Sequence, residues 1–310
     1  MKIRLGYACI STTLDTITPS TNYTYTSYLK DENNFSKLDD IIISNLEALD
    51  NLIDYNIKNN IHFFRLSSKL IPLATMKEVN FDYLEKYKDI YNKIGKKIKK
   101  NNMRVDFHPD QFTVLNSTKK EVIDNTIEIL KYHYNLLDIL NISPKVLVIH
   151  VGSSVLGKNN SIKRFINTFN KLPDYLKKSI VIENDDKIYT INDCMEIHNN
   201  LNIPIVLDYH HHICNPSDID FLSIFSTWKN INPKIHFSSP KSKLKKEFRS
   251  HNDYINSDDF ILFLEKIKNL NFDIDIMIEA KKKDEAMFRL IRELKYKTDY
   301  MFIDETTFII

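Results

Sequence analysis

The sequence predicts a single (β/α)8 barrel that extends over residues 1–310 as one domain. Short apolar, β-branched runs alternate with helical patterns along the chain, and the connections between them are mostly short. Several of the apolar runs also end in a histidine or a carboxylate. An open, doubly wound parallel sheet is the alternative, but the chain lacks the G-x-G-x-x-G pattern of dinucleotide-binding sheets.

The first predicted strand is Ile3–Tyr7. The polar stretch from Ser11 to Asn34 is either a surface loop or a loop that covers a substrate. The first helix is predicted over Asn34–Asn60, where apolar residues recur at helical spacing. The further strands are predicted at His62–Leu66, Arg104–His108, Val146–His150, Ser179–Glu183, Ile205–Asp208, Lys234–Phe237 and Asp275–Glu279, the last strand. The further helices are predicted at Phe81–Lys100, Lys120–Leu140, Ser161–Asn170, Ile191–Asn200, Asp218–Trp228, Ser257–Leu270 and Asp284–Tyr296.

Composition limits the possible classes of protein. Hydrophobic residues make up 43% of the chain, enough for a large core, yet no apolar run is long enough to span a bilayer. The N-terminus leads directly into a strand without a signal-peptide pattern, and the three cysteines are widely spaced, which favours a reduced cytoplasmic protein. The net charge is only +2, so a polyanion would have to bind to a local basic patch.

Glycine is rare, with four in the chain, and asparagine is abundant. Asparagine tolerates the left-handed conformation that often ends a helix. We therefore expect the Asn-Asn pairs at 59–60, 101–102 and 199–200 to close helices in place of glycine.

Six consecutive predicted strands deliver an imidazole or a carboxylate at or near their ends. In chain order the donors are His108, His150, Glu183, Asp208 with His211, His236 and Glu279. In a barrel, the carboxyl ends of the strands meet at one mouth, where the active sites of this fold lie. Because buried charges are costly unless they are paired or bound to metal, these donors together predict a metal centre.

Mixed histidine and carboxylate donors suit Mn²⁺ or Zn²⁺ better than Mg²⁺ or Ca²⁺. Their number predicts two or three ions, with Glu183 and Glu279 as bridging ligands. Clustered divalent ions suit phosphoryl transfer, in which a metal-bound hydroxide attacks the phosphodiester.

Eight short motifs near the strand ends indicate a family. They are Leu5-Gly6-Tyr7, Phe64-Arg65-Leu66-Ser67-Ser68, Phe107-His108-Pro109-Asp110-Gln111-Phe112, Val148-Ile149-His150-Val151-Gly152, Ile182-Glu183-Asn184-Asp185, Asp208-Tyr209-His210-His211-His212, Lys234-Ile235-His236 and Met277-Ile278-Glu279-Ala280-Lys281. Together they resemble the UV-damage endonucleases, from Leu5 to about Ala286. The resemblance implies a barrel like those of apurinic endonucleases and xylose isomerases. It also implies cleavage of DNA on the 5′ side of pyrimidine photoproducts by a divalent cluster, typically manganese.

The resemblance also implies roles for single residues. The strand-end donors named above match the metal ligands of the family, and His251 matches a further ligand or a phosphate-facing histidine. Glu183, Glu279 and Lys234 are the catalytic candidates. Lys234 points to the same side of its strand as His236, so we expect either an amine carboxylated on Nζ that binds metal or a lysine paired with Glu183 or Glu279.

A second set of residues is predicted to contact the DNA. Gln111 and Phe112 match an amide–aromatic pair that probes the helix while the damaged bases flip out. Tyr7 matches a tyrosine near the lesion, and Ser11 stands where the family has an asparagine that contacts it. The phosphate-binding candidates are Lys69, and Lys241, Lys245, Arg249 and Lys281 in the loops after the last two strands.

One position departs from the family. Met76 stands where the family has a histidine, and a thioether is a weak donor for manganese, so the departure puts one ligand of one ion in doubt.

These observations predict a metal-dependent endodeoxyribonuclease for DNA repair that acts, as a monomer, on double-stranded DNA carrying pyrimidine photoproducts. We expect it in the cytoplasm and at the nucleoid, without a membrane or an obligate protein partner. Two alternatives fit the same barrel: a metal-dependent sugar isomerase and a protein that binds DNA damage without cutting it.

Overall fold

The computed structural model describes residues 1–14, 16–32 and 35–310. Eight parallel strands close a barrel, because β1 pairs with β2 on one side and with β8 on the other. The strands are β1 Lys2–Ala8, β2 Phe63–Leu66, β3 Arg104–Phe107, β4 Leu147–His150, β5 Ile180–Glu183, β6 Ile205–Asp208, β7 Lys234–Phe237, β8 Ile274–Ile278, β9 Met301–Phe302 and β10 Thr307–Ile309. The predicted barrel and its eight strands are confirmed.

Helices surround the barrel. They are α1 Tyr25–Lys30, α2 Phe35–Lys58, α3 Tyr83–Lys86, α4 Lys88–Lys100, α5 Lys120–Ile139, α6 Lys158–Asn170, α7 Asp174–Lys177, α8 Ile191–Leu201, α9 Tyr209–Cys214, α10 Phe221–Ser226, α11 Ser257–Ile267 and α12 Lys283–Lys297, with 3-10 turns at Lys77–Val79 and Lys268–Leu270. The predicted start of α2 at Asn34 lies outside the described residues. The helix predicted over Phe81–Lys100 is interrupted at Tyr87, and the one predicted over Asp218–Trp228 is reduced to α10. No helix of the described ranges is both long and apolar enough to cross a membrane.

Asparagines close three of these helices. Asn60 and Asn102, beyond the ends of α2 and α4, have φ angles of 53° and 49°. These two positions confirm the prediction made from the Asn-Asn pairs. After α8 the left-handed residue is Asn202, with φ 56°, because the helix continues through Asn199 and Asn200 to Leu201.

The C-terminal hairpin β9–β10 was not predicted, and Asp275–Glu279 is therefore not the last strand. β2 pairs with β1 only at Tyr7 and Ala8. The backbone groups of Lys2, Ile3 and Arg4 on that side of β1 bond instead to the antiparallel strand β10. The hairpin satisfies backbone groups that the stagger of the barrel leaves without a partner.

The polar stretch that follows β1 is not a plain surface loop. It contains α1, and its aromatic residues Tyr23 and Tyr28 are buried against one another edge to face. Both rings also pack on the hydrophobic core, which the polar composition does not reveal.

A column of charged side chains lies inside the barrel. At the far end, Arg4 and Arg104 both donate to the buried carboxylate of Asp275. The centre of the barrel holds an ion pair between Lys234 and Asp106, 2.7 Å apart. Successive inward positions of one strand are two residues apart, so the same alternation that places these charges also places donors at the mouth.

Candidate metal centre

Glu183, at the end of β5, is the residue around which the predicted donors assemble. It is 1% exposed. Its Oε1 lies 2.6 Å from Nδ1 of His236, and its Oε2 lies 2.8 Å from Nε2 of His108. His150 Nε2 and His211 Nδ1 lie 3.7 and 3.9 Å from the same carboxylate. Donors from distant parts of the chain thus meet at one mouth, as the strand pattern predicts.

Three groups of side chains in the described ranges could each hold a cation, because the donor atoms of each group lie within 4.8 Å of one another. The groups are His108, His150 and Glu183; Glu183, Asp208 and His211; and Asp208, His236 and Glu279. Glu183 is shared by two groups, as a bridging ligand would be. The second shared carboxylate is Asp208, whereas Glu279, the other predicted bridge, belongs to one group.

Backbone carbonyls orient three of the imidazole rings. Nδ1 of His108, His211 and His251 lies 3.1, 3.0 and 2.6 Å from the backbone oxygens of Pro109, Asn184 and Glu279. Because a carbonyl can only accept, each Nδ1 carries the proton. Nε2 of each ring is then left to bind a cation, an orientation typical of metal-ligating histidines. His251 lies outside the three donor groups but is held in the same way.

The charges at the mouth also fit a divalent cation. Burial, with the charges of Glu183 and Glu279, raises the pKa of Asp208 to about 8, although His211 opposes this. Burial alone would lower the pKa of His211, but the neighbouring carboxylates raise it to about 9. Oδ2 of Asp208 and Nδ1 of His150 are buried without a hydrogen-bond partner. A bound cation would compensate the excess negative charge of the buried carboxylates and would give these donor atoms a partner.

Arg65 on β2 belongs to the centre, although no sequence pattern predicted a role for it. Its NH2 donates to Oε1 of Glu279 and, at 2.8 Å, to Nε2 of His236. The position of Arg65 two residues beyond Phe63 on a short buried strand is the signal that could have identified it, because the side chain must then face the barrel interior.

Lys234 lies one layer below the donors. It is 1% exposed, and its Nζ donates to Oδ2 of Asp106 at 2.7 Å. Burial lowers the pKa of Lys234 to about 8, which the charge of Asp106 opposes in part. The expected pairing with Glu183 or Glu279 is wrong, because the amine pairs instead with Asp106, which occupies the neighbouring inward position on β3.

Gln111 and Phe112 lie in the loop after β3, on the face of the donors. Phe112 is 75% exposed, although it is a large aromatic residue, and its backbone nitrogen donates to the side chain of Asp110. A cavity of about 560 Å³ is lined by both residues together with His150 and His211. The structure therefore brings the predicted probe and the predicted metal ligands to one cavity.

Tyr7 and Ser11 do not present their side chains at the mouth. Tyr7 is fully buried, its ring packs on Phe64, and its hydroxyl donates to Asn56. Ser11 is buried and donates to Asp284 at 2.6 Å. Alternation along β1 turns Tyr7 towards the helices. The lesion contacts of both residues stay predictions.

The predicted phosphate-binding residues fall into two classes. Lys69, Lys245 and Lys281 are exposed on loops at the mouth. Lys241 Nζ, in contrast, lies 2.9 Å from Glu247, and Arg249 Nε lies 3.6 Å from Asp186. The charges of Lys241 and Arg249 are thus partly neutralised within the protein. These two residues are therefore weaker candidates for phosphate binding than the exposed lysines.

Met76 is half-buried and lies away from the three donor groups. It lines a separate surface depression with Lys77, Lys120 and Glu121, and it packs on the hydrophobic core. The side chain at this position therefore contributes to packing.

The comparisons with known proteins agree with this geometry. Residues 3–305 match the family described as UV-endonuclease UvdE. The chain is 42% identical over 303 residues to a protein from Bacillus mycoides named UV DNA damage endonuclease, with 95% of each chain covered. It is similar to the crystal structure of SacUVDE, with 34% identity and a TM-score of 0.85, over 95% of this chain and 98% of that one. Endonuclease IV from Thermus thermophilus shares the fold, with 11% identity and a TM-score of 0.58, over 95% of this chain and 100% of that one.

Proposed function

The chain belongs to the UV-endonuclease UvdE family, and from that premise we propose that it cuts duplex DNA on the 5′ side of UV photoproducts in a metal-dependent reaction. Membership makes it a DNA-repair endonuclease. The observation that supports the finer proposal is the cluster of four imidazoles with the buried carboxylates of Glu183 and Asp208 and the partly buried carboxylate of Glu279. The exposed Phe112 lines a cavity with two of these imidazoles.

The three donor groups would hold two or three divalent ions, and we propose Mn²⁺, because the donors are nitrogen and oxygen in nearly equal numbers. Such ions supply Lewis-acid stabilisation of phosphate charge and make a water molecule more acidic. Glu183 and Asp208 each serve two groups, while Glu279 is oriented by Arg65.

The protein itself orients these donors. Asn184 exchanges two hydrogen bonds with the backbone of Asp208, at 2.9 and 3.0 Å, and its carbonyl accepts from His211. The ends of β5 and β6 are thereby held in one arrangement before substrate arrives. Preorganised polar groups avoid the cost of reorientation during the reaction.

Gln111 and Phe112 would probe the duplex. An exposed aromatic ring can enter a base stack where damage has already weakened stacking, and this lowers the cost of flipping the damaged bases out. Lys69, Lys245 and Lys281 would bind phosphates without regard to sequence. Donors, probe and exposed lysines lie on one mouth, so we expect a monomer to be sufficient.

The direct test uses supercoiled plasmid, with and without UV irradiation. We expect nicking of irradiated plasmid with added Mn²⁺, little nicking of unirradiated plasmid, and loss of nicking with a chelator that is restored by excess Mn²⁺. End-labelled duplexes with a single photoproduct locate the cut. Binding of irradiated DNA without nicks at any metal content would contradict the proposal, as would isomerisation of pentoses without nicking.

We also propose that Lys234 carries a carboxylate on Nζ when the metals are bound. The amine adds to CO₂ and releases one proton, and the product is a carbamate, which would supply a further oxygen donor. Carbon NMR of the native protein loaded with diamagnetic Zn²⁺ in ¹³C-labelled bicarbonate should show a carbamate signal that is missing in Lys234→Met. Full nicking activity without that signal would contradict carboxylation, and Lys234 would then act as the unmodified amine that pairs with Asp106.

A further inference from the structure

The loop between β4 and α6 carries two aliphatic side chains for which the proposed function has no role. Val155 is 54% exposed and Leu156 is 71% exposed. The loop follows His150 at the end of β4, so it lies on the same face as the metal centre. Adjacent exposed aliphatic residues on a functional face indicate a surface that is covered when a partner binds.

The backbone of this loop is strained and firmly held. Leu156 has φ 66°, a left-handed conformation that is unfavourable for leucine. Asn160 donates to the carbonyl of Leu156 at 2.9 Å. The carbonyl of Val155 accepts from Ser161 at 3.1 Å and from Arg164. Strain of this kind persists only where surrounding contacts impose it, and it is concentrated at functional sites.

The same contacts tie this loop to the loop that carries Phe112. The side chain of Asn116 exchanges two hydrogen bonds with the backbone of Ser153, at 2.7 and 2.9 Å. Nε of Arg164 donates to the carbonyl of Asn116 at 2.9 Å. Phe112 and Ser153 line the same cavity. The loop of the aromatic probe and the loop of the Val155–Leu156 tip are thus joined by direct hydrogen bonds.

We propose that the Val155–Leu156 tip is a second apolar contact with duplex DNA, in which Leu156 packs into the minor-groove side of the base stack next to the site of Phe112. This inference rests on the proposed function. Proteins that kink DNA from the minor groove use leucine and similar side chains as wedges, and a rigid tip loses little conformational entropy when it inserts. Arg164 is a positioning residue that holds the tip.

The variant Leu156→Asn separates this role from a structural one. Asparagine tolerates the left-handed backbone, so we expect the melting temperature to stay the same or rise. The affinity for a duplex with one photoproduct should fall about five- to tenfold, because the apolar contact is lost. The fluorescence of a 2-aminopurine beside the lesion, which reports unstacking, should rise less on binding than with the unmodified protein.

Ile303→Asn provides the matched control. Ile303 is 55% exposed in the β9–β10 hairpin, which is attached to the opposite end of the barrel, so its replacement should leave binding unchanged. Phe112→Ala serves as the positive comparison. Absence of binding and nicking in the unmodified protein would refute the proposed function itself. Normal activity of the unmodified protein, together with unchanged affinity and fluorescence in Leu156→Asn, would refute only the contact by Leu156.

Discussion

Glu183→Gln should abolish most of the nicking activity while the barrel stays folded. Glutamine keeps the size of the side chain but removes the charge that two of the three donor groups share. It also places an amide next to Nδ1 of His236 and Nε2 of His108, and an amide nitrogen cannot bind a cation. Loss of roughly 4 kcal/mol of transition-state stabilisation corresponds to a rate about a thousandfold lower.

Two measurements check this prediction. The initial rate of nicking of irradiated plasmid is measured at saturating Mn²⁺, and bound metal is measured on the dialysed protein by elemental analysis. The exposed residue Glu196 on α8 offers the matched control, since Glu196→Gln removes the same charge far from the donors. Bound metal and a nicking rate equal to those of the control would show that Glu183 is not a ligand.

Asp275→Asn should destabilise the protein strongly without touching the mouth. Asp275 is fully buried at the far end of the barrel and accepts from Arg4 at 2.6 and 2.7 Å and from Arg104 at 2.7 Å. Removal of one partner of a buried ion pair leaves the other charges without compensation. We expect the free energy of unfolding to fall by about 3–5 kcal/mol in urea titrations at pH 7.

The pH dependence supplies a second criterion for Asp275. Burial would raise the pKa of its carboxyl group, but the charges and hydrogen bonds of Arg104 and Arg4 outweigh burial and lower it. The ionised group therefore stabilises the fold above its unfolded pKa of about 4, and this contribution is lost as the pH falls through the folded pKa. The difference in the free energy of unfolding between the unmodified protein and Asp275→Asn should therefore become smaller as the pH falls through that range.

Asp273→Asn is the control for this change. Asp273 pairs with Lys2 at 3.2 Å on the surface, with nearly half of each side chain exposed. Exposed pairs contribute about 0–1 kcal/mol, so this variant should unfold almost like the unmodified protein. Equal effects of the two substitutions would mean that the buried network is not a major source of stability.

The strand ends could be predicted because they depend on local rules. His150, Glu183 and Asp208 each follow three buried apolar residues, and strands of a closed barrel all point to the same mouth. The motif comparison added Phe112, whose exposure in the structure distinguishes it from a core residue.

The hydrogen-bond partners that were not predicted are distant in sequence. Lys234 and Asp106 are 128 positions apart, and Ser11 and Asp284 are 273 positions apart. The hydroxyl of Tyr7 likewise donates to a distant residue, Asn56 on α2. Local periodicity shows that such a side chain is inward or outward, but not which partner it finds.

The sequence by itself determined the barrel, the face on which chemistry takes place and the donor types that converge there, because strand period and strand direction are properties of short segments. Only the tertiary structure decided which carboxylates are shared, that Arg65 orients Glu279, and that the loop with the exposed Val155 and Leu156 is bonded to the loop of Phe112. These features depend on the stagger of strands around a closed sheet and on side chains packed from opposite ends of the chain, and no single segment carries that information.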